Sequence, residues 1–309
     1  MFVCRDNYSN FGCDIGGYRG DTGDEHKDAF VRWAQFGAFI PLMENGGGGE
    51  HRPWMYDDET VDIYRKFVLE HYRLIPYWMK TGMESMESGG QKSALKPIAV
   101  KPEDAENYEN PQPSTYSYLI GDDLLVHPVV NELSIVDMTF PAGKNAVWLN
   151  WWDPIDMSSA VSGKDSEYTF MQKIPFDSYP VYVKKNAFVP LQENIEDGTV
   201  MFTWFCPDVL ESGEINTKET VVREPSSVGT GMEATVSLQE GVFSGSISAH
   251  AGHPAGFSLV GVSDATSLSV SPDGACDRTY EDETKTLSIS CADTSMGVVV
   301  SASGVNPLF

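Results

Sequence analysis

Two carboxylates, an imidazole and a guanidinium occupy positions from which side chains can do chemistry. Asp14 ends an apolar entry, FGCD, and is followed by two glycines and Tyr18. Glu44 and Asn45 open a second polar stretch, ENGGGGEHRPW, in which His51 and Arg52 stand beyond four glycines. Side chains of these types hold and orient polar ligands and, when suitably placed, transfer protons. The elements that must position them read as strand, loop, helix, strand, loop, with both polar loops at strand exits. In an α/β barrel the C-terminal strand ends converge on the substrate. Asp14 and residues 44–54 are therefore expected to face one pocket. Taken by itself, Asp14 has a second reading as a helix-capping or turn aspartate.

The connecting helix is argued from its own residues. Thr22 with Glu25 makes a capping-box pattern, and Asp24 and Glu25 place negative charge where the helix dipole favours it. Phe30, Trp33 and Gly37 share one face by spacing, as do Val31, Ala34 and Ala38. Gly37 is the expected end, leaving residues 38–43 as a short buried strand.

These residues carry a resemblance. Residues 11–18 and 32–42 with Arg52-Pro53-Trp54 resemble the seventh and eighth strand region of glycoside hydrolase family 31, the family of α-glucosidases and α-xylosidases. YRLIPYW (72–78) is similar to the family's last barrel helix, IGDDLLVHPV (120–129) to the start of its proximal C-terminal domain, and YPVYVKKNAFVPL (179–191) to that domain's closing strands. The resemblance implies an α/β then all-β chain: the C-terminal part of a (β/α)8 barrel in residues 1–92, a proximal β domain in 93–192, and a distal β-sandwich-like domain in 193–309. It also implies a retaining α-glycoside hydrolase acting on O-glycosyl bonds. Such an enzyme needs two carboxyl groups about 5 Å apart, one attacking and one protonating the leaving oxygen. By the family's order both lie upstream of what Phe11 aligns to, so the chain reads as a fragment that is inactive alone, with Asp14 a pocket residue rather than either catalytic group. The alternatives are a non-catalytic carbohydrate-binding or scaffold protein that keeps only the pocket shell, and an enzyme whose acids arrive on a separate chain.

The chain departs from the family after the eighth strand. Where many members have Arg-Asn-His, Glu44 stands at the arginine position and Gly46 at the histidine position. Glu44 or His51 is expected to replace the missing contact, against the alternative that Glu44 pairs with Arg52 and the glycines only permit a tight turn. Tyr18, Asn45 and Arg52 complete the substrate-binding candidates.

Composition narrows the partners. Asp plus Glu number 45 against 21 Lys plus Arg, a net charge of -24, which disfavours nucleic acid because counterion replacement needs a basic surface. An oligosaccharide or α-glycoside is the implied partner, and no cofactor is expected. The five cysteines are scattered without a CxxC pair, so no metal site is expected; Cys276 and Cys291 either pair or stay free and buried. No run of 18 apolar residues and no long apolar N-terminal segment occurs, so neither a membrane span nor a signal peptide is expected. Asn7-Tyr8-Ser9 is a glycosylation sequon.

Further along, Asp57 or Asp58 caps a helix expected to run to about Ser85, kinked at Pro76, with Val61, Tyr64, Val68, Tyr72 and Ile75 on one face and His71 solvated. Residues 95–100 form a short apolar segment and residues 102–113 a surface loop. Residues 119–130, 134–140 and 146–149 read as strands. Trp148, Trp151 and Trp152 either pack or stack on a sugar. Distal strands are expected at 200–205, 234–238, 243–247, 256–262, 267–270, 287–290 and 297–301, which suggests a sandwich.

Overall fold

The computed structural model describes residues 11–18, 26–47, 51–98, 116–208, 214–223, 231–248 and 254–309. The Thr22–Glu25 capping box, the sequon, Cys4, residues 48–50 and the 102–113 loop lie outside them. Contacts between Cα atoms group the chain into two compact units, one of residues 1–72, 84–145 and 163–182, the other of 73–83, 146–162 and 183–309.

The first unit begins with β1 (Gly12–Asp14), α1 (Lys27–Gly37) and β2 (Leu42–Glu44), the two strands pairing in parallel. The helix ends at Gly37 as its sequence indicates, but the apolar run after it is not all strand. The amides of Ala38, Phe39 and Ile40 still donate to Ala34, Phe36 and Gly37, so these fully buried residues form a turn and the strand starts only at Leu42. Tyr118 donates its hydroxyl to Phe39 O at 2.7 Å, and Phe39 stacks on Tyr179 at 5.9 Å while Phe67 meets both edge-on.

A single 3-10 turn, Pro53–Met55, precedes α2 (Asp58–Arg73). Asp57 is its cap, taking the amide and hydroxyl of Thr60 at 2.8 and 2.7 Å, and Lys27 grips Asp57 and Glu59, both at 2.6 Å. The expected long kinked helix is instead two helices, α2 and α3 (Ile75–Glu87), with Leu74 between them. Pro76 explains the break: it has no N–H, its ring would strike the carbonyl four residues back, and it is tolerated only in a first turn. The buried stripe of α2 is also shifted from the expected one. Thr60, Ile63 and Phe67 face in, whereas Tyr72 is 43% exposed. His71 is not solvated: its ring meets Ala38 O at 3.1 Å, and burial lowers its pKa.

Beyond the helices, β3 (Leu95–Pro97), β4 (Tyr118–Ile120) and β5 (Leu124–Val126) form an antiparallel run, and β6 (Ile135–Phe140) pairs with β9 (Tyr168–Lys173). Thus the expected strand over 119–130 is two, turned at Gly121. His127 is fully buried beside Phe140 and Tyr182, at 5.1 and 5.8 Å.

The second unit holds the hairpin β7 (Val147–Asn150) and β8 (Val161–Ser162). The strand β10 (Val181–Lys184) begins in the first unit and ends in the second. A sandwich follows, of β11 (Phe188–Gln192), β12 (Val200–Phe205), β13 (Asn216–Arg223), β14 (Gly231–Gln239), β15 (Val242–Ile247), β16 (Ala255–Val260), β17 (Ser267–Ser271), β18 (Cys276–Glu281), β19 (Thr286–Cys291) and β20 (Val298–Ser303). Its two five-stranded sheets run β11-β12-β16-β19-β18 and β13-β14-β15-β20-β17. The alternation of β12, β14, β16, β19 and β20 sends Phe202, Trp204, Val236, Phe257, Leu259, Leu287, Ile289 and Val300 into the shared core. Two strands the sequence pattern misses, β13 and β18, are the polar edge strands of the two sheets. Cys276 and Cys291 are directly opposed on β18 and β19 and form a disulfide.

Candidate functional site

The parallel pairing of β1 with β2 sets Gly12 beside Leu42, Cys13 beside Met43 and Asp14 beside Glu44. Both carboxylates thus stand at the C-terminal ends of neighbouring strands, whose backbones lie about 4.8 Å apart. The ladder continues one step further, with Ile15 N donating to Glu44 O at 2.8 Å. The two side chains also converge: a Cβ on Gly46 would lie 3.5 Å from Glu44 Oε1 and 3.9 Å from Asp14 Oδ1. Asp14 is half-buried, and Glu44 and Asn45 are exposed.

The loops that follow the strands are folded onto each other. Gly16 and Gly17 have φ of +82° and +89°, a left-handed path that turns the chain back, and Gly17 N donates to Asp14 O at 2.9 Å. This leaves Tyr18 62% exposed, with its carbonyl only 2.6 Å from where a Cβ on Gly47 would sit. Asn45 ties the second loop down, its Nδ2 donating to His51 O at 2.7 Å and to the Tyr64 hydroxyl at 3.0 Å.

His51 is buried at 8% exposure and its Nδ1 meets Ile15 O at 2.6 Å. A carbonyl only accepts, so Nδ1 carries a proton, and the buried Nε2 has no partner among the described residues. The ring therefore joins the second loop to the first. Arg52 is exposed and leads into the Pro53–Met55 turn. Of the six residues singled out by sequence, Asp14 and Glu44 end the two strands, Tyr18 and Asn45 lie on the loops that follow, and His51 is buried against the first loop.

What the sequence reading did not single out is the support. Phe30 is stacked between Tyr56 and Tyr64 at 5.1 and 5.6 Å, and with Ile15 and Ala34 it forms a small core under the loops. Burial raises the Tyr64 pKa, against the lowering effect of the Asn45 bond, so its hydroxyl stays protonated. Arg32, on α1, is buried and donates to Gln35 Oε1, Ser178 O, Ser134 Oγ, Ile174 O and Pro175 O at 2.8 to 3.1 Å. No local pattern flags that role, because apart from Gln35 its acceptors lie more than 100 residues along the chain, three of them backbone carbonyls. Cys13 alternates away from Asp14 and, with Phe11, Trp33, Leu133 and Phe176, lines a separate cavity of about 920 Å³. Burial is the largest influence on its thiol and raises the pKa, so it is no activated nucleophile. Among the described residues no group of three or more His, Cys, Asp or Glu is arranged to hold a metal ion.

Two family models match this chain, the glycosyl hydrolases family 31 TIM-barrel domain over residues 6–81 and the glycosyl hydrolase family 31 C-terminal domain over residues 92–189. The chain belongs to glycosyl hydrolase family 31. Similar curated proteins include neutral alpha-glucosidase C of Macaca fascicularis, 24% identical over 196 residues, covering 62% of this chain and 23% of that protein. An alpha-xylosidase of Emericella nidulans is 26% identical over 198 residues, covering 61% of this chain and 23% of that protein. The family 31 chain thus spans about a quarter of the length of these relatives. A Flavobacterium johnsoniae family 31 dextranase, solved with glucose, shares the fold over 96% of this chain and 40% of its own, with a TM-score of 0.72 and 18% identity. Among the described residues of the family 31 chain β1 and β2 form a two-stranded parallel sheet of their own, and no closed barrel occurs.

Proposed function

We propose that residues 11–54 form one wall of the substrate pocket of a retaining α-glycoside hydrolase, the attacking and proton-donating carboxyl groups coming from residues outside this chain. The observation that carries this is the register of β1 with β2, which puts Asp14 and Glu44 side by side at two strand ends with their carboxylates converging on Gly46. Ionised carboxylates accept hydrogen bonds and donate none, so the pair suits a ligand rich in hydroxyl donors. Asp14 and Glu44 would hold sugar hydroxyls, and exposed Tyr18 would offer a flat face to the ring. Asn45 and His51 then act by fixing the loop, and Arg52 borders it. In this reading residues 1–92 are the last part of a (β/α)8 barrel and 93–192 and 193–309 are two β domains. Support for the first boundary comes from the family models, which leave off at 81 and resume at 92.

The test uses the glycosidase that carries these residues and, separately, this chain. Asp14→Asn in the enzyme should lower kcat/KM on 4-nitrophenyl α-glycosides by about tenfold or more, since a hydrogen bond to a charged group contributes about 1.5–3 kcal/mol. This chain alone should not hydrolyse them. Hydrolysis by this chain that disappears in Asp14→Asn and Glu44→Gln would instead make these two the catalytic pair. An unchanged kcat/KM in Asp14→Asn would remove the pocket role.

A further inference from the structure

The second unit contains a cavity of about 690 Å³ that the pocket at Asp14 does not use. Its floor is the outer face of the sheet β11-β12-β16-β19-β18. Side chains alternate along a strand, so while Phe202, Trp204, Phe257, Leu259, Leu287 and Ile289 fill the core, their neighbours point the other way. The register then builds a straight row across four strands: Thr203 lies beside Ser258, Ser258 beside Ser288, and Ser288 beside Thr279. At about 4.8 Å per strand the row is about 14 Å long, more than one sugar ring. The adjacent row, Phe205, Val260, Thr286 and Glu281, is apolar at one end and acidic at the other.

An outer sheet face is ordinarily open to water, but this one is overhung. Trp151, Trp152, Pro154 and Ile155 line the same cavity, Trp151 being buried against Phe205 with ring centroids 5.5 Å apart. Under that overhang Ser258 is only 8% exposed, it lines the cavity, and its hydroxyl has no partner among the described residues. Open to the cavity and not bonded within the fold, that hydroxyl can donate to and accept from whatever enters. Charge narrows what that is. Arg73 is engaged with Glu193 at 3.3 Å and lies over the Trp151 ring, whereas Asp153, Glu281 and Glu283 put negative charge on the rim. An anion is disfavoured there. A ligand with many neutral hydroxyls and apolar ring faces fits all three features: the hydroxyl row, the half-buried indole of Trp152, and the carboxylates.

We infer that this cavity is a second carbohydrate site, taking a neutral oligosaccharide laid along the row from Thr203 to Thr279 with one ring against Trp152. It is separate from the pocket at Asp14 and does not rest on the reading of that pocket. The experiment titrates this chain with maltotetraose, cellotetraose and, as the anionic control, tetragalacturonate, followed by calorimetry and tryptophan fluorescence. Saturable binding of a neutral tetrasaccharide is expected, weakened about tenfold in Trp152→Ala, as aromatic anchors of an interface typically are. The double variant Ser258→Ala with Ser288→Ala removes only two oxygens, so it serves even where loss of the indole unfolds the chain; it should weaken binding comparably. Asp14→Asn should leave this binding unchanged. Binding that ignores both sets of substitutions, binding abolished by Asp14→Asn, binding of the anionic probe alone, or no binding of either neutral probe would each overturn the proposal.

Discussion

Gly46 and Gly47 are neighbours whose substitution should separate function from stability. At Gly46 the backbone does not occupy the left-handed region, and an added methyl meets Glu44 Oε1 at 3.5 Å and Asp14 Oδ1 at 3.9 Å, which is ordinary contact. Gly46→Ala should therefore fold as well as the parent or gain about 0.4–1 kcal/mol from the stiffer unfolded chain. Its methyl nonetheless sits where the proposed ligand's hydroxyls meet the two carboxylates. Losing one hydrogen bond to a charged group is worth about 1.5–3 kcal/mol, or about tenfold to a hundredfold in kcat/KM. At Gly47 the situation reverses. With φ +115° and a Cβ position 2.6 Å from Tyr18 O, Gly47→Ala must move backbone and should cost about 1–3 kcal/mol. The assay is a thermal melt of each variant beside kcat/KM on α-glycosides in the enzyme carrying these residues. Gly46→Ala with a normal melt and unchanged kcat/KM on every α-glycoside would refute the idea that ligand enters between Asp14 and Glu44.

Two more outcomes follow from buried polar groups in the first unit. Burial lowers the His127 pKa from 6.5 to about 3. Folded chains thus resist a proton that unfolded chains accept near pH 6.5, so the stability contribution is whole above that pH and is lost as pH falls toward 3. By pH 5 the loss is about 2 kcal/mol, and denaturant midpoints should show a shallower decline between pH 8 and 5 in His127→Leu; equal declines would refute the assignment. Arg32→Met leaves the carbonyls of Ile174, Pro175 and Ser178 without their donor and should cost about 3–5 kcal/mol in urea unfolding. Arg32→Lys should recover only part, because an ammonium lacks the planar fork that reaches several acceptors, and full recovery would show that charge alone matters there.

Much of the local structure was legible because its causes are local. Gly37 ends α1, Asp57 caps α2, and strict alternation marks the inner strands of the distal sandwich. Legibility stopped where neighbours in space outvoted neighbours in sequence. Residues 38–40 look like a strand by composition, yet the helix's last carbonyls capture their amides and the turn is what lets them bury. On α2 two adjacent stripes satisfy the same periodicity, and only packing chose Ile63 and Phe67. The edge strands β13 and β18 carry no alternating apolar pattern because one side has no partner strand and water is nearby.

Residue types and order in 11–54 by themselves determined that two polar loops follow two short strands, and the motifs of 11–191 determined the family. The meeting of those loops is a tertiary matter: the β1–β2 register sets Asp14 beside Glu44, and the left-handed glycines fold Tyr18 under Gly47. The row of hydroxyls from Thr203 to Thr279 is likewise invisible in sequence, since its four members come from strands up to 85 residues apart and align only through backbone hydrogen bonds. Hydrogen-bonded register has no memory of chain separation, which is why a local pattern could name the strands and only the folded sheet could say which side chains share a row.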